Sequence, residues 1–422
     1  MLLLTFVNSS AQKLILDTLN TNYRTNLKLY FEVQSLKTKN EINTISNRKI
    51  RKKLSEIYLE KNVDFNKSIE KGIFIEHESF SKFIENIFQT IKKANPKDNF
   101  DSIKFLLAIS KEINAYNCGD GIVVLNLPII YNIDNQYQLA YIMCHEISHQ
   151  KLNHVYNSIY KKCQFEQSTE IKDKIKEIDK LKYNKSEIAS SLLKKIVYTN
   201  REDSRKHEKA ADSLGYIYFK NAFPDYQNQA LETLKKLRTI DVAKDSLSKL
   251  DFVKLFETPN LKFKEEWLTS EISEYNYQKG KRFWDIDSLR THPNCDERIS
   301  YLKKDFKIDE KLKPVDLSVF NQKRLNADYE FVFGLYFLED YGDSLYYTLL
   351  KLKKNPTDVF YRKIVYNNLI KLQESKNKYT LNKYLEIENP KFSESYNQFL
   401  CLIRNLRKTE LSQIIEFYKS KS

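Results

Sequence analysis

The chain has 422 residues, of which 41% are hydrophobic and 30% charged, so it is long enough for a sizeable core and more than one domain. Only 7 Gly and 8 Pro argue against an all-β fold with many turns, and no apolar run approaches the roughly 18 residues of a transmembrane helix. The formal charge of +14 comes from Lys residues dispersed among Glu, so we expect a solvated basic surface and no nucleic-acid partner. The five cysteines are scattered and form no CxxC pair, which excludes a zinc ribbon and a disulfide framework.

The first residues have part of the pattern of a secretory signal. Residues 1–7 are mostly apolar, and Ser9-x-Ala11 follows them as a small-residue cleavage site would. A basic segment before the apolar run is missing, so a short buried strand or the start of a helix is the alternative. We predict that residues 1–12 are the remnant of a signal and that the protein is exported, to the periplasm or outside the cell.

Helix-forming and strand-forming segments alternate in the first third of the chain. Residues 13–74 are polar and helix-forming, and we predict an N-terminal helical region there. Residues 105–109 and 121–125 are short apolar runs of strand length, and the second is rich in β-branched residues. Turn-forming residues at 117–121 lie between them, so we predict an antiparallel pair.

Three helical segments are predicted next. Capping side chains at 132–135 and the lack of Gly and Pro predict one helix over 136–159. Residues 166–193 carry isoleucines at helical spacing, which indicates an amphipathic helix. Thr199 and Glu202 have the spacing of a capping box, which predicts that a further helix starts there.

From about residue 315 the sequence favours helices only. Two Asn-Pro pairs, at 355 and 389, lie 34 residues apart, which is the period of tetratricopeptide helix pairs. We therefore predict a tetratricopeptide-like domain over residues 315–422, with an irregular helical bundle as the alternative. We also expect a protein partner on these helices.

The motif that carries chemistry is HExxH, formed by His145, Glu146 and His149. Two histidines four residues apart lie about 40° apart around a helix, so both imidazoles face one point. Neutral imidazole suits Zn²⁺, and the glutamate beside the first histidine can reach a metal-activated water. We predict one zinc ion per chain, with Glu146 as the general base.

A catalytic zinc site needs a third protein ligand. His154 lies five residues after His149, so on a continuous helix it points about 140° away, and we interpret it as a packing histidine. His207 and Glu208 remain, and because they lie about 100° apart on a helix only one of them can face the metal.

We predict Glu208 as the third ligand because its helix face also carries Asp212 and Gly215. Asp212 is placed to accept a hydrogen bond from a ligand imidazole and fix its tautomer. The small residues Ala211 and Gly215 would let this helix approach the HExxH helix closely.

The sequence resembles metallopeptidase family forty-eight, the family of the CAAX prenyl endopeptidases and the heat-shock protease HtpX. Four ordered motifs carry the resemblance: HEISH at 145–149, the segment 204–215 around Glu208, Asn114-Ala115-Tyr116 with 119–124, and Thr291-His292-Pro293 with Arg298-Ile299. The resemblance implies a zincin-like (gluzincin) α+β domain over residues 75–305, mostly helical with a small sheet. Since no transmembrane helix is predicted, the soluble exported branch of the family fits best.

The resemblance also implies a role for Asn114 and Ala115, and we predict roles for His292 and Arg298 in the later motif. The strand at Asn114 and Ala115 would lie antiparallel to a bound polypeptide. His292 would donate a hydrogen bond to the oxyanion, with Arg298 holding its loop. In the alternative, His292 takes zinc's open position and excludes water, as a latch.

These observations together predict a zinc-dependent endopeptidase that acts on polypeptides in protein quality control or processing. Two other classes remain open: a zinc-binding scaffold or chaperone-like protein with a silent site, and a nucleic-acid-binding protein. The intact Glu146 counts against the first, since a structural zinc site needs no general base. The dispersed charge counts against the second.

Overall fold

The computed structural model describes residues 21–180, 185–242, 245–269, 295–309, 311 and 313–421, so the predicted signal remnant at 1–12 lies outside the described residues. The described part is mostly helical with one four-stranded sheet, which confirms the predicted α+β class. The strands are β1 Phe74–Ile75, β2 Lys104–Ala108, β3 Ala115–Gly119 and β4 Ile122–Asn126. The helices are α1 Thr21–Asn43, α2 Arg48–Lys71, α3 Glu78–Ala94, α4 Leu127–Asn132, α5 Gln136–Lys151, α6 His154–Gln167, α7 Thr169–Lys180, α8 Lys185–Ala222, α9 Gln229–Val242, α10 Lys249–Phe256, α11 Cys295–Phe306, α12 Ser318–Phe337, α13 Tyr341–Lys354, α14 Val359–Asn377, α15 Glu394–Asn405 and α16 Lys408–Lys419.

The strands lie in the order β1-β2-β4-β3, so β3 is an edge strand. Both predicted strands form within one residue of their expected bounds, but the predicted antiparallel pairing between them is wrong. Strands β2 and β4 run parallel, with Phe105 opposite Val123, and the turn at 119–121 instead joins β3 to β4 as an antiparallel hairpin. A Cβ atom at Gly121 would lie 1.9 Å from the Ser102 carbonyl oxygen, and φ there is +78°, so only glycine fits this turn.

The two central strands are apolar along their whole length because both sheet faces are covered. Leu106 and Val124 face the N-terminal helices α1 and α2, whereas Leu107 and Val123 face the large core that contains α3 and α5. A run of this kind is typical of strands buried on both sides. It specifies burial and not the direction of the partner strand, which is why the pairing could not be read from it.

The predicted N-terminal helical region forms the hairpin α1–α2. Asn47 caps α2 by accepting hydrogen bonds from the amides of Lys49 and Ile50, and Gly72 ends it with φ +76°. Phe31 of α1 stacks on Phe65 of α2 with ring centroids 4.1 Å apart, and both rings lie against the sheet. The hairpin therefore covers the sheet face opposite α5.

Three helix boundaries differ from the prediction. Helix α5 ends at Lys151, and Asn153 has φ +54° before α6 begins, so the predicted single helix over 136–159 is wrong. Helix α7 accounts for only part of the amphipathic helix predicted over 166–193. The capping box predicted at Thr199 is also wrong, because α8 already begins at Lys185 and is continuous through Thr199.

The C-terminal part is helical, as predicted, from α12 onward. One hydrophobic cluster extends from the sheet into these helices, and a Cβ atom at Gly334 of α12 would lie 2.8 Å from Ile109, the residue after β2. Lys111 also bonds to the buried Asp343 of α13. The tetratricopeptide-like repeat and the domain boundaries at 305 and 315 stay predictions. Among the helices that the structure describes, none is long and apolar enough to cross a membrane.

Candidate metal centre

The site lies where α5 and α8 pack against each other. Ala211 is fully buried, and a Cβ atom at Gly215 would lie 3.0 Å from both the Cα and the backbone nitrogen of His145. Any larger residue at 215 would press on the backbone of α5. The two small residues thus bring the two helices to close contact at His145, as the sequence led us to expect.

Three side chains from these helices converge on one point. His145 Nε2 lies 3.1 Å from His149 Nε2; Glu208 Oε2 lies 3.4 Å from His145 Nε2, and Glu208 Oε1 lies 3.4 Å from His149 Nε2. All the ligand atoms of this triad lie within 4.8 Å of one another, and the three side chains are at most 14% exposed. Glu208, and not its neighbour His207, thus completes the group with the two histidines.

The spacing of the triad fits a small tetrahedral cation. With metal–ligand bonds of about 2.0–2.1 Å, neighbouring ligand atoms of a tetrahedral zinc ion lie about 3.3 Å apart. The 3.1 Å between the two imidazole nitrogens is close to that value, and each of them has one of the two Glu208 oxygens at 3.4 Å, Oε2 near His145 and Oε1 near His149. Two imidazoles and one carboxylate are also a donor set of catalytic zinc sites, in which a fourth position stays open.

Asp212 lies directly behind His145. Its Oδ1 is 2.9 Å from His145 Nδ1, so the ring is held with Nε2 toward the triad. Arg298 of α11 donates two hydrogen bonds to the same carboxylate, at 2.7 and 2.6 Å. The hydroxyls of Tyr141 and Tyr301 also donate to it. Arg298 thus supports Asp212, a position behind the ligands, and the loop at 291–294 that it was also predicted to hold lies outside the described residues.

The electrostatics of the site favour a positive charge at its centre. Burial alone would lower the pKa of His145, but the Asp212 and Glu208 carboxylates raise it to about 10. Burial, and then the charge on His145, lower the pKa of His149 to about 3. Burial would raise the pKa of Asp212, but Arg298 and His145 hold it well below its usual range. The carboxylates that stabilise the positive charge on the His145 ring would equally stabilise a bound cation.

His149 has a partner of a different kind. His154 Nδ1 lies 3.0 Å from His149 Nδ1, and the His154 ring stacks on His207 with centroids 4.2 Å apart and planes 8° apart. His154 lies outside the triad, and because the helix breaks at Asn153, it stands on a new helix and against His149, not about 140° away as on a continuous helix. Burial lowers the pKa of His154 to about 4.

Glu146 is buried and faces the edge strand. Burial raises the pKa of the Cys118 thiol on β3 to about 12; the Lys61 ammonium opposes that shift, and the Glu146 carboxylate adds to it. Asn117 of β3 also donates a hydrogen bond of 3.1 Å to the Gln150 side chain of α5. Glu146 is therefore close enough to the edge strand for its charge to act on Cys118.

The strand residues predicted to hold substrate lie at the start of this edge. Ala115 begins β3 opposite Leu125 of β4, and the amide of Asn126 donates to the carbonyl oxygen of Asn114 at 3.1 Å. Beyond the other end of β3 is a cavity of about 500 Å³, bordered by His149, the turn at Asp120 and helix α1. His292 lies outside the described residues.

The sequence analysis missed two residues of the site, Tyr141 and Tyr301, and the contact between His154 and His149. Tyr141 precedes His145 by four residues and Tyr301 follows Arg298 by three, so helical spacing could have placed both on the faces that meet Asp212. The partner of His154 depends on the helix break at Asn153, for which the sequence carries no strong signal.

A mostly helical domain with a small sheet and a buried His-His-Glu triad defines a metallopeptidase. The chain belongs to peptidase family M48, whose family model matches residues 83–305, just over half of the chain. This match confirms the family that the motifs resemble. Because the family is one of peptidases, it also supports polypeptides as the class of substrate. No curated protein matches the chain closely enough to add a more specific function.

Proposed function

We propose that this protein is a zinc-dependent endopeptidase. The observation that carries the proposal is the convergence of His145, His149 and Glu208, which each offer a ligand atom within 4.8 Å of the others and together form a donor set of catalytic zinc sites. A zinc ion, when bound, lowers the pKa of a water molecule and polarises the scissile carbonyl. Membership of peptidase family M48 supports this reading.

Glu146 would act as the general base. It follows His145 directly in the chain and is buried, and its charge acts on Cys118 of β3, which supports a position between the triad and the edge strand. It would accept the proton of the attacking water and pass it to the leaving amine nitrogen. Asp212 would accept a hydrogen bond from the Nδ1–H of His145, which leaves Nε2 as the nitrogen that faces the metal.

The polypeptide would bind along the edge strand β3, antiparallel to Ala115 and its neighbours. An edge strand offers backbone groups that pair with any extended chain, which tolerates many sequences. A substrate side chain near the Gly119 end of β3 would enter the cavity beside His149. Its wall includes Gln34 and Thr38 of α1, so the N-terminal helices would contribute to substrate choice.

The test is cleavage of a peptide that is blocked at both ends by acetyl and amide groups. The zinc-loaded protein should cut it internally, lose activity to a chelator and regain it with added Zn²⁺. Glu146→Gln is the matched control: it should keep its zinc and lose about 10²–10⁴-fold in rate. A zinc-loaded protein that cuts no peptide would instead favour a scaffold with a silent site. Trimming of unblocked peptides alone would mean an exopeptidase.

His292 is proposed as the donor to the oxyanion, from the family motif at 291–299. If it is the donor, His292→Ala should lower kcat with zinc retained, and if it is a latch the same change should raise activity. Kinetics equal to the wild type would overturn both roles.

We further propose export and a role in protein quality control or processing. The apolar run at 1–7 with Ser9-x-Ala11 supports export, and N-terminal sequencing of the protein from extracytoplasmic fractions tests it. The C-terminal helices, with their Asn-Pro pairs 34 residues apart, would carry a protein partner in a tetratricopeptide-like manner. Comparing the proteomes of strains with and without the gene would identify substrates that accumulate.

A further inference from the structure

We infer that His154 is a positioning residue for His149, acting as the hydrogen-bond acceptor that directs His149 Nε2 to the metal. The observation is the 3.0 Å distance between the Nδ1 atoms of the two rings, with His154 buried to 7% exposure. The inference rests on the proposed zinc site and adds a residue that lies outside the HExxH motif and outside the triad.

The tautomer of each ring follows from the geometry. A ligand imidazole binds a metal through an unprotonated nitrogen, so His149 with Nε2 in the triad carries its proton on Nδ1. That Nδ1–H then donates to His154 Nδ1, which must be unprotonated and accept. His154 is consequently neutral, with its proton on Nε2.

His154 is itself held in place from two sides. Asn153, in the αL conformation with φ +54°, separates α5 from α6, and His154 at the start of α6 lies against His149. The His207 ring of α8 stacks flat on one face of His154, and its Nδ1 lies 3.4 Å from the Ser158 hydroxyl of α6. The acceptor is therefore fixed by three helices.

The two ligand histidines thus have unlike supports. His145 has a carboxylate, Asp212, whose charge is balanced by Arg298, whereas His149 has a neutral imidazole. A second buried carboxylate at this position would reduce the net positive charge of a zinc-loaded centre. A neutral acceptor orients His149 without that reduction, and so preserves the pull of the metal on water and carbonyl.

Two variants separate the acceptor from the ring. His154→Asn keeps an acceptor oxygen at the place of Nδ1 but removes the ring that stacks on His207. His154→Phe keeps the ring and removes the acceptor. We expect His154→Phe to bind zinc about 10–100-fold more weakly, the range for losing the partner of a ligand histidine, and His154→Asn to stay within about threefold of the wild type.

The measurement is the zinc dissociation constant from competition with a chromophoric chelator, together with the melting temperature of the metal-free protein. His207→Phe is the matched control, because it keeps the stacked ring without touching His149, and it should bind zinc within about threefold of the wild type. If His154 acts only by packing, the order reverses: His154→Asn weakens zinc binding and His154→Phe does not. That order, or equal affinity for both variants, overturns the inference.

The same experiment separates this inference from the proposed function. A wild-type protein that binds zinc but cuts no peptide overturns the endopeptidase and leaves the affinity comparison intact. A wild-type protein that binds no zinc overturns both. A melting temperature that falls equally in both His154 variants, with unchanged zinc affinity, shows a structural role and contradicts the inference.

Discussion

Arg298 donates two hydrogen bonds to Asp212, from Nε at 2.7 Å and from Nη2 at 2.6 Å. The two residues lie 86 positions apart in the chain, on helices α11 and α8. Asp212 in turn lies 2.9 Å from the ring of His145, so α11 is connected to the metal centre through a single carboxylate. Arg298, part of the family-like motif at 291–299, therefore supports His145 indirectly, through its buried ion pair with Asp212.

We predict that Arg298→Met destabilises the protein by about 3–5 kcal/mol, because it leaves the buried Asp212 carboxylate without its cation. Urea denaturation of the metal-free protein measures this. The control is Arg238→Met, which removes a surface ion pair with Asp296 whose side chains are about half exposed, and it should cost less than about 1 kcal/mol. If both variants lose the same free energy of unfolding, the buried pair stabilises the protein no more than the surface pair does.

We predict that His145→Ala, His149→Ala and Glu208→Ala each lower zinc occupancy, because three protein ligands are the minimum for a catalytic site. Elemental analysis after dialysis gives the occupancy, expected at one zinc per chain in the wild type. His207→Ala is the neighbouring control and should retain the metal. If His207→Ala loses zinc while Glu208→Ala keeps it, the assignment of the third ligand is wrong.

Gly215→Ala should destabilise the protein and weaken zinc binding together. The added Cβ would lie 3.0 Å from the backbone of His145, so α8 must move away from α5 and take Glu208 with it. Overpacking costs about 1–3 kcal/mol, more than the gain of up to about 1 kcal/mol in helix propensity. Ser213→Ala in the same helix is the control for propensity. A stabilised Gly215→Ala variant with normal zinc affinity would contradict the close packing.

Asp340→Asn should stabilise the protein at neutral pH. Burial and the neighbouring Asp343 raise the pKa of Asp340 to about 6, against the opposing charge of Lys111. The folded protein thus holds a proton that the unfolded chain releases at a lower pH, so stability falls as pH rises through the range from about 4 to 6. The stabilisation by Asp340→Asn should therefore be larger at pH 7 than at pH 5, as measured by melting temperature.

The exposed neighbour Glu339 supplies the control for this pH dependence. Glu339→Gln removes one carboxylate from the same turn but from a solvated position, so its effect on melting temperature should be small at both pH values. A pH-independent effect of Asp340→Asn would show that its carboxyl titrates normally.

The sequence predicted the positions of two strands well, but neither the direction of their pairing nor the start of α8. The strands at 104–108 and 122–126 appear within one residue of their apolar runs, because burial on both faces demands apolar residues throughout. The direction of their pairing was decided by β3, which lies between them in the chain and pairs antiparallel with β4, so that β4 runs parallel to β2. The Thr199 capping pattern failed because a cap forms only where the preceding chain leaves the helix, and α8 is helical on both sides of Thr199.

The sequence by itself determined the local chemistry: two histidines one helical turn apart, a base beside the first, and Glu208, Asp212 and Gly215 on one face of a later helix. Helical periodicity alone is enough for this, since it acts within a few residues. Three contacts could not be predicted from residue spacing and depend on the tertiary structure. They are the packing of α5 against α8, the hydrogen bonds from Arg298 to Asp212, and the contact of His154 with His149 after the helix break at Asn153. These contacts join residues far apart in the chain or across a helix break, so they depend on how whole elements pack.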